Sequence, residues 1–444
     1  MVKSLPAEYY AKFLSDAARA RKPSPIRALF PLEARPGMLS LLAGKPNAQT
    51  FPFISITVKA ASLVDPSKEI ATEISGRALS EGLQYGPTAG SSDLIGWMNT
   101  LHEREHKRMQ GEGWRVSVGS GSQDLIHKAR LATINALVNP GDSVLVESPI
   151  YAGMIPTFEM LNCDFVGVPT DSQGIDSSAL RKTLESWPAS KPKPRILYTV
   201  PYGGNPTGMT TIAERRLEVL ALAREHDFLI LEDDPYYFLY FGPEPRPQSY
   251  FALEATVLPE VGRVLRFDSL SKVLSAGIRL GFLSGPVPVL AAVDVHTAQA
   301  SLQVSGLTQA IAFSLLDAWG HDAFVAHTRA VSAFYRAKRD VFERHMRAQL
   351  SGLAQWDTPE AGMFFWFKLL LRDPGAGGEE EDSESVVRTK ALEKGVLALP
   401  GTVFIPGGKK TAYVRASFSQ LDEPEVEEAC KRLRAVVLDA RGAV

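Results

Sequence analysis

Seven short apolar, β-branched runs punctuate residues 114–286, most of them separated by longer stretches with helical spacing. They read WRVSVGSG, DSVLVESPIY, DFVGVP, RILYTVP, FLILEDDPY, VLRFDSLSK and IRLGFLSGP. The runs lack a clean period-two alternation, so each predicts a strand covered on both faces. Helical patterns between them, such as RRLEVLALAREHD (215–227), imply right-handed crossovers and a mostly parallel sheet. The expected architecture is therefore α/β: a mostly parallel seven-stranded sheet sandwiched by helices.

The chain of 444 residues exceeds one ordinary core, and its pattern changes after the sheet. Residues 305–350 read as nearly continuous helix, ending near HMRAQLSG. A strand, GMFFWFKLLL (362–371), leads into a Gly-rich acidic loop, RDPGAGGEEEDSES (372–385). The helix SVVRTKALEKG, the short strands VLALPG and AYVRASFS, and a last helix complete a smaller α+β unit. The Pro-rich first fifty-odd residues are expected to pack on that unit. The predicted division is an N-terminal segment at 1–55, a large domain at 56–335 and a small C-terminal domain at 336–444.

Several function classes are disfavoured. A net charge of −2 offers no electrostatic case for nucleic acid or an anionic membrane. Cys163 and Cys430 lie far apart with no CxxC partner, which argues against a zinc site or a disulfide framework and suits a reducing compartment such as the cytoplasm. No apolar run reaches the roughly 18 residues of a membrane span, and MVKSLPAEYY lacks a signal-peptide core. The Arg-rich, acid-poor FLSDAARARKPSPIRALF is compatible with a mitochondrial address, and also with a helix and a Pro-bounded turn. HEREH (102–106) matches the zinc-protease pattern, but it sits in a heavily charged helix end with no third ligand in view, so a solvated helix face is expected. PGGKKT (406–411) departs from a P-loop, with Val403 where the first glycine belongs and Lys410 where Ser or Thr belongs. No G-x-G-x-x-G follows the first strand, so dinucleotide binding is unsupported.

Open parallel sheets bind ligands at the carboxyl ends of their strands, and there the polar residues gather. SGSQ (120–123) ends the first strand and opens a helix, reading as an N-cap or an anion site. YGGNPTG (202–208) sets an Asn-Pro turn after the fourth, with Gly208 permitting close backbone approach. LEDDPYY (231–237) places Asp233 and Asp234 at the end of the fifth. DSLSK (268–272) with Arg279 supplies hydroxyls, an amine and a guanidinium; these suit a phosphate, or a Schiff base at Lys272, or merely an exposed lysine.

Taken jointly, these motifs resemble the class I and II aminotransferases of the pyridoxal-phosphate fold type I superfamily, with an aspartate-aminotransferase-like large domain. The resemblance is strongest to the aromatic amino acid and kynurenine/α-aminoadipate branch. It runs nearly end to end, through KPSPIR (22–27), LQYGPTAG (83–90), TVPYGGNPTG, ILEDDPYYFL, DSLSKVLSAGIRLGF, AGMFFWFK (361–368) and YVRASFS (413–419).

That resemblance implies a cofactor, pyridoxal 5′-phosphate, bound to Lys272 as an internal aldimine, with the freed amine then moving a proton. A tyrosine three residues after the ring-nitrogen acid selects Asp233 with Tyr236. Tyr236 and Asn205 would bond the cofactor's 3-oxygen, and Tyr151 would stack on its ring. Ser122, Gln123, Ser269, Ser271 and Arg279 would hold the phosphate, and Tyr85 would reach the phosphate of a neighbouring subunit, so a homodimer is implied. Arg415 would clamp the substrate carboxylate; Arg27, Gly44 and Phe364 would line the substrate side-chain pocket. The family's Gly-Gly pair reads Ala43-Gly44 here, so that wall is expected to differ. No metal is implied.

The resulting expectation is a ping-pong transfer of the α-amino group of an aromatic amino acid (Phe, Tyr, Trp or kynurenine) to a 2-oxo acid, with 2-oxoglutarate the acceptor. The alternatives are an α-aminoadipate or broad-range aminotransferase and a cofactor-dependent lyase or decarboxylase. A non-enzymatic amino-acid sensor on this fold would need a DNA-binding domain, and nothing before residue 20 could fold as one.

Overall fold

The computed structural model describes residues 2–25, 29–33, 35–42, 44–65, 67–127, 133–372 and 382–442. Its centre is an eight-stranded sheet. The strands are β3 (Trp114–Gly119), β4 (Ser143–Ser148), β5 (Asp164–Asp171), β6 (Gly174–Ile175), β7 (Ile196–Thr199), β8 (Leu229–Asp234), β9 (Val264–Ser269) and β10 (Gly281–Pro286). A preceding hairpin supplies β1 (Ile56–Ala61) and β2 (Glu69–Ile74). The order across the sheet is β3-β10-β9-β8-β7-β4-β5-β6.

All seven predicted runs are strands. Neighbours from β9 to β5 pair in parallel, and β10 lies antiparallel between β9 and β3. The expected count of seven is corrected to eight. The addition is β6, two residues that fold back antiparallel on β5. So short an edge strand leaves little backbone free to pair with another chain.

The runs become strands because both faces are covered: every residue of β8 and β10 is buried, and all but the last of β9. Among the described residues, no helix is long and apolar enough to cross a membrane.

The long helix Gly306–Leu350 is two helices joined at Gly320, whose φ of 65° and ψ of 174° are non-helical. Glycine adopts that φ without steric penalty, so the continuous helix expected over this range is interrupted there. Beyond it lies an antiparallel sheet ordered β11-β12-β14-β13 (Ala354–Trp356, Phe364–Leu369, Tyr413–Ser417, Leu399–Pro400). The alternation along β12 sends Phe365, Phe367 and Leu369 into a second core and turns Phe364 and Trp366 to the other face. The last helix, Glu423–Ala440, opens with a capping box between Asp422 and Glu425 and packs Val426, Cys430, Leu433, Val436 and Val437 into that core.

Two expectations fail. The start of the N-terminal segment docks on the large sheet's side, not on the smaller unit. The Leu5 amide donates to Val261 (3.0 Å), the Tyr10 hydroxyl to Gly262 (3.0 Å), and Tyr10 and Phe13 are buried in the larger core. HEREH is not a solvated face either: His102 and His106 are 1% and 3% exposed. The helix Ser92–His106 lays them against Trp114 and Phe251. Among the described residues, no group of three or more His, Cys, Asp or Glu side chains could hold a metal there.

Candidate active site at the strand ends

A cavity of about 450 Å³ opens where the carboxyl ends of the large sheet face β12–β14. Strand alternation decides which acid enters it. Asp233 lines the cavity, whereas Asp234 turns to the opposite face and accepts a 2.6 Å bond from Arg266. The Tyr198 hydroxyl donates to Asp233 Oδ2 at 2.7 Å. Its other oxygen, Oδ1, is buried and has no hydrogen-bond partner. Burial pushes this carboxyl up to about 6, against the opposing pull of the Tyr198 and Ser122 hydroxyls. Buried acceptors are almost always satisfied, so this one fits a donor on a bound molecule.

Lys272 lines the same cavity. Burial and the nearby Arg279 charge lower its pKa, which favours the neutral amine. Arg279, at φ 51°, donates to the Ser271 hydroxyl (3.1 Å) and the Ser120 carbonyl (2.8 Å). Ser269 Oγ accepts from the Ser271 amide at 3.2 Å. A side chain at Gly121, at φ 99°, would sit 2.6 Å from the Arg279 guanidinium, so the first βα turn keeps a glycine where this cluster closes. Ser122 and Gln123 follow at the cavity rim, and Tyr151 donates to Gln123 Oε1 at 3.2 Å.

The other wall comes from the second sheet. Arg415 on β14 donates to Asn205 Oδ1 at 2.7 Å, leaving the asparagine amide nitrogen as a donor. Its guanidinium lies 4.2 Å from the Phe364 ring centroid and 5.1 Å from Phe404. Phe364 in turn meets Tyr236 edge-on at 6.3 Å. Gly208 explains why the Asn-Pro turn can approach so closely, because a Cβ there would lie 2.6 Å from the Phe364 carbonyl oxygen.

Thus Ser122, Gln123, Tyr151, Asn205, Asp233, Tyr236, Ser269, Ser271, Lys272, Arg279, Phe364 and Arg415 share one cavity. Tyr85 does not. It is 53% exposed, beside a groove between residues 72–93 and the start of the long helix. Gly44 is exposed with open space around it, away from the cavity lining. Arg27 and Ala43 lie outside the described residues.

Sequence reasoning missed Tyr198 and Leu399. Tyr198 sits in an apolar run, and only the pairing of β7 with β8 brings its hydroxyl to Asp233. Leu399 belongs to a two-residue strand whose neighbours are distant in sequence.

The family model for aminotransferase class I and II matches residues 60–433. The chain is 41% identical to aminotransferase tdiD of Emericella nidulans, over 95% of this chain and 94% of that protein. It is 35% identical to the mitochondrial kynurenine/alpha-aminoadipate aminotransferase of Rattus norvegicus, over 97% of this chain and 99% of that one. Among solved structures, aminotransferase Aro8 from Candida albicans superposes with a TM-score of 0.86 at 25% identity, with all of both chains covered.

Proposed function

The chain belongs to the class I and II aminotransferases, and from that premise we propose that it moves the α-amino group of an aromatic amino acid to 2-oxoglutarate. It is a transaminase that works with pyridoxal phosphate. When bound, that cofactor supplies an aldehyde to carry nitrogen and a ring to withdraw charge from the substrate.

The residues fit the cofactor. The unpartnered Asp233 Oδ1 would hold a proton at the ring nitrogen. Tyr236 and the Asn205 amide would donate to the 3-oxygen, and Tyr151 would cover the ring. Arg279, Ser269, Ser271, Ser122 and Gln123 would hold the phosphate, each charge-assisted bond contributing roughly 1.5–3 kcal/mol. Lys272 would hold the aldehyde carbon and, once displaced by the substrate amine, would carry a proton from the substrate's α carbon to the carbon that held the aldehyde, a role its lowered pKa favours. Arg415 orients the substrate carboxylate with its planar donor fork, already held by Asn205.

One observation carries the aromatic preference. Beside Arg415, the described lining offers the apolar surfaces of Phe364 and Leu399 and the Tyr151 ring to the substrate side chain. A distal carboxylate, as on 2-oxoglutarate or aminoadipate, would call on Arg27. The rat relative's name includes aminoadipate, which keeps a broad-range reading as the second choice.

Tyr85, exposed beside the groove, serves the partner's site in a homodimer.

A panel of amino donors with 2-oxoglutarate tests the substrate class. Phe, Tyr, Trp or kynurenine should exceed aminoadipate in kcat/KM by about tenfold or more, the scale that side-chain pocket contacts supply. Aminoadipate ahead of every aromatic donor would sink this reading.

A further inference from the structure

Behind the cavity, on the far face of the sheet, lies a buried charged cluster that the reaction does not touch. In the parallel register Glu232 pairs with Arg266 and Asp234 with Asp268, so these four side chains share one face. Arg266 Nε and Nη2 donate to the two Asp268 oxygens at 3.1 and 2.8 Å, and Nη1 donates to Asp234 at 2.6 Å. Glu232 stands 3.5 Å from Nη1, with its own oxygens taken by the Tyr250 and Phe251 amides.

From the helix Ser92–His106, His102 Nε2 meets the Ser284 hydroxyl at 2.7 Å and stands 3.7 Å from Asp268. His106 meets Ser249 at 2.9 Å, and the Tyr237 ring lies 4.8 Å from the Arg266 guanidinium. Burial lowers His102 to about 4, so it adds no charge at neutral pH. Burial also opposes the charge on Arg266, but Asp268, Asp234 and Glu232 outweigh it and keep the guanidinium ionised.

A buried ion cluster is seldom a source of stability, since desolvation rivals the Coulomb gain. Its position suggests another use. Asp234 follows Asp233, and Asp268 precedes Ser269, three residues before Lys272. Two like charges directly opposite on neighbouring strands would repel, and Arg266 bridges them.

We propose that Arg266, through Asp234 and Asp268, is a positioning residue that locks the end of β8 against the end of β9 and so sets Asp233 relative to Lys272. The cluster also places the Asp268 charge on the sheet face behind the ring-nitrogen carboxylate, where it raises the pKa of Asp233. This inference rests on the roles given above to Asp233 and Lys272.

Two variants test it in the full-length holoenzyme. Asp268→Asn keeps the shape and an acceptor for Arg266 but removes one charge. The triple variant Arg266→Met, Asp234→Asn, Asp268→Asn removes the clamp without stranding a buried guanidinium. Both are read by kcat and KM separately, by the pH titration of the bound cofactor's visible absorbance, and by Tm of the cofactor-free protein. For the triple variant we expect kcat to fall about tenfold or more with KM little changed, and for Asp268→Asn, which keeps an acceptor for Arg266, a smaller fall in kcat with the same KM. The absorbance midpoint should fall by about one pH unit, the size of losing one charge at this range. If both variants keep the wild-type midpoint and kcat, or lose kcat only in proportion to a fall in Tm, the clamp is merely structural and the proposal is overturned. A wild-type protein that does not transaminate would instead overturn the function on which it rests.

Discussion

Lys272→Ala should lose about 10⁴-fold in kcat, the upper range for a positioned general acid–base group, while still binding pyridoxal phosphate through Arg279 and its serines. The loss is expected to be chemical and not structural. Lys272 forms no hydrogen bond or ion pair among the described residues, and burial already disfavours its charge, so Tm should not fall. Lys272→Arg separates an amine from a mere positive charge. A guanidinium stays protonated in proteins, so this variant should be as inactive as the alanine. Steady-state turnover with cofactor absorbance measured in parallel checks both. Full turnover in Lys272→Ala would sink the mechanism.

Asp233→Asn should reduce kcat by roughly 10²–10³-fold, as expected for removing one preorganised electrostatic partner, and should at the same time stabilise the cofactor-free protein. The carboxyl titrates at 3.8 in its unperturbed state and at about 6 in the fold, where burial raises it. Between those values the folded state holds a proton that the unfolded state has lost, so this group's contribution to stability declines as pH rises through the window. At pH 7 and above the fold carries a buried charge costing about 3 kcal/mol. Asparagine removes that charge and still accepts from Tyr198. The variant should therefore melt higher than wild type at pH 8, with the gain gone below about pH 4. Thermal melts of the cofactor-free proteins across pH, beside kcat, provide the check. A variant equally active, or less stable at pH 8, contradicts the role assigned to Asp233.

The central sheet was legible because strands covered on both faces leave apolar runs, and polar residues at their carboxyl ends mark the site. Even the choice between Asp233 and Asp234 follows from strand alternation once the strand's end is known. What stayed hidden depends on contacts between distant segments. The bond from Arg415 to Asn205 joins the two sheets, and no local pattern announces it. His102 and His106 looked solvated because their neighbours in sequence are charged, yet the helix turns them inward against Trp114 and Phe251. The hairpin of β1 and β2 carries the period-two alternation of a half-exposed sheet, a signal present in the sequence and passed over beside the stronger apolar runs. The N-terminal segment was misplaced because its proline-rich composition carries no information about which surface Tyr10 and Phe13 enter.

A single-turnover half-reaction shows whether the amino group is transferred intact. The holoenzyme is mixed with phenylalanine in the absence of any 2-oxo acid, and the cofactor's absorbance is followed together with phenylpyruvate, ammonia and carbon dioxide. The prediction is one phenylpyruvate per active site, full conversion of the cofactor from its aldehyde to its amine form, and neither ammonia nor carbon dioxide. Continued release of either gas, with the cofactor still in its aldehyde form, would show a lyase or decarboxylase and contradict the account.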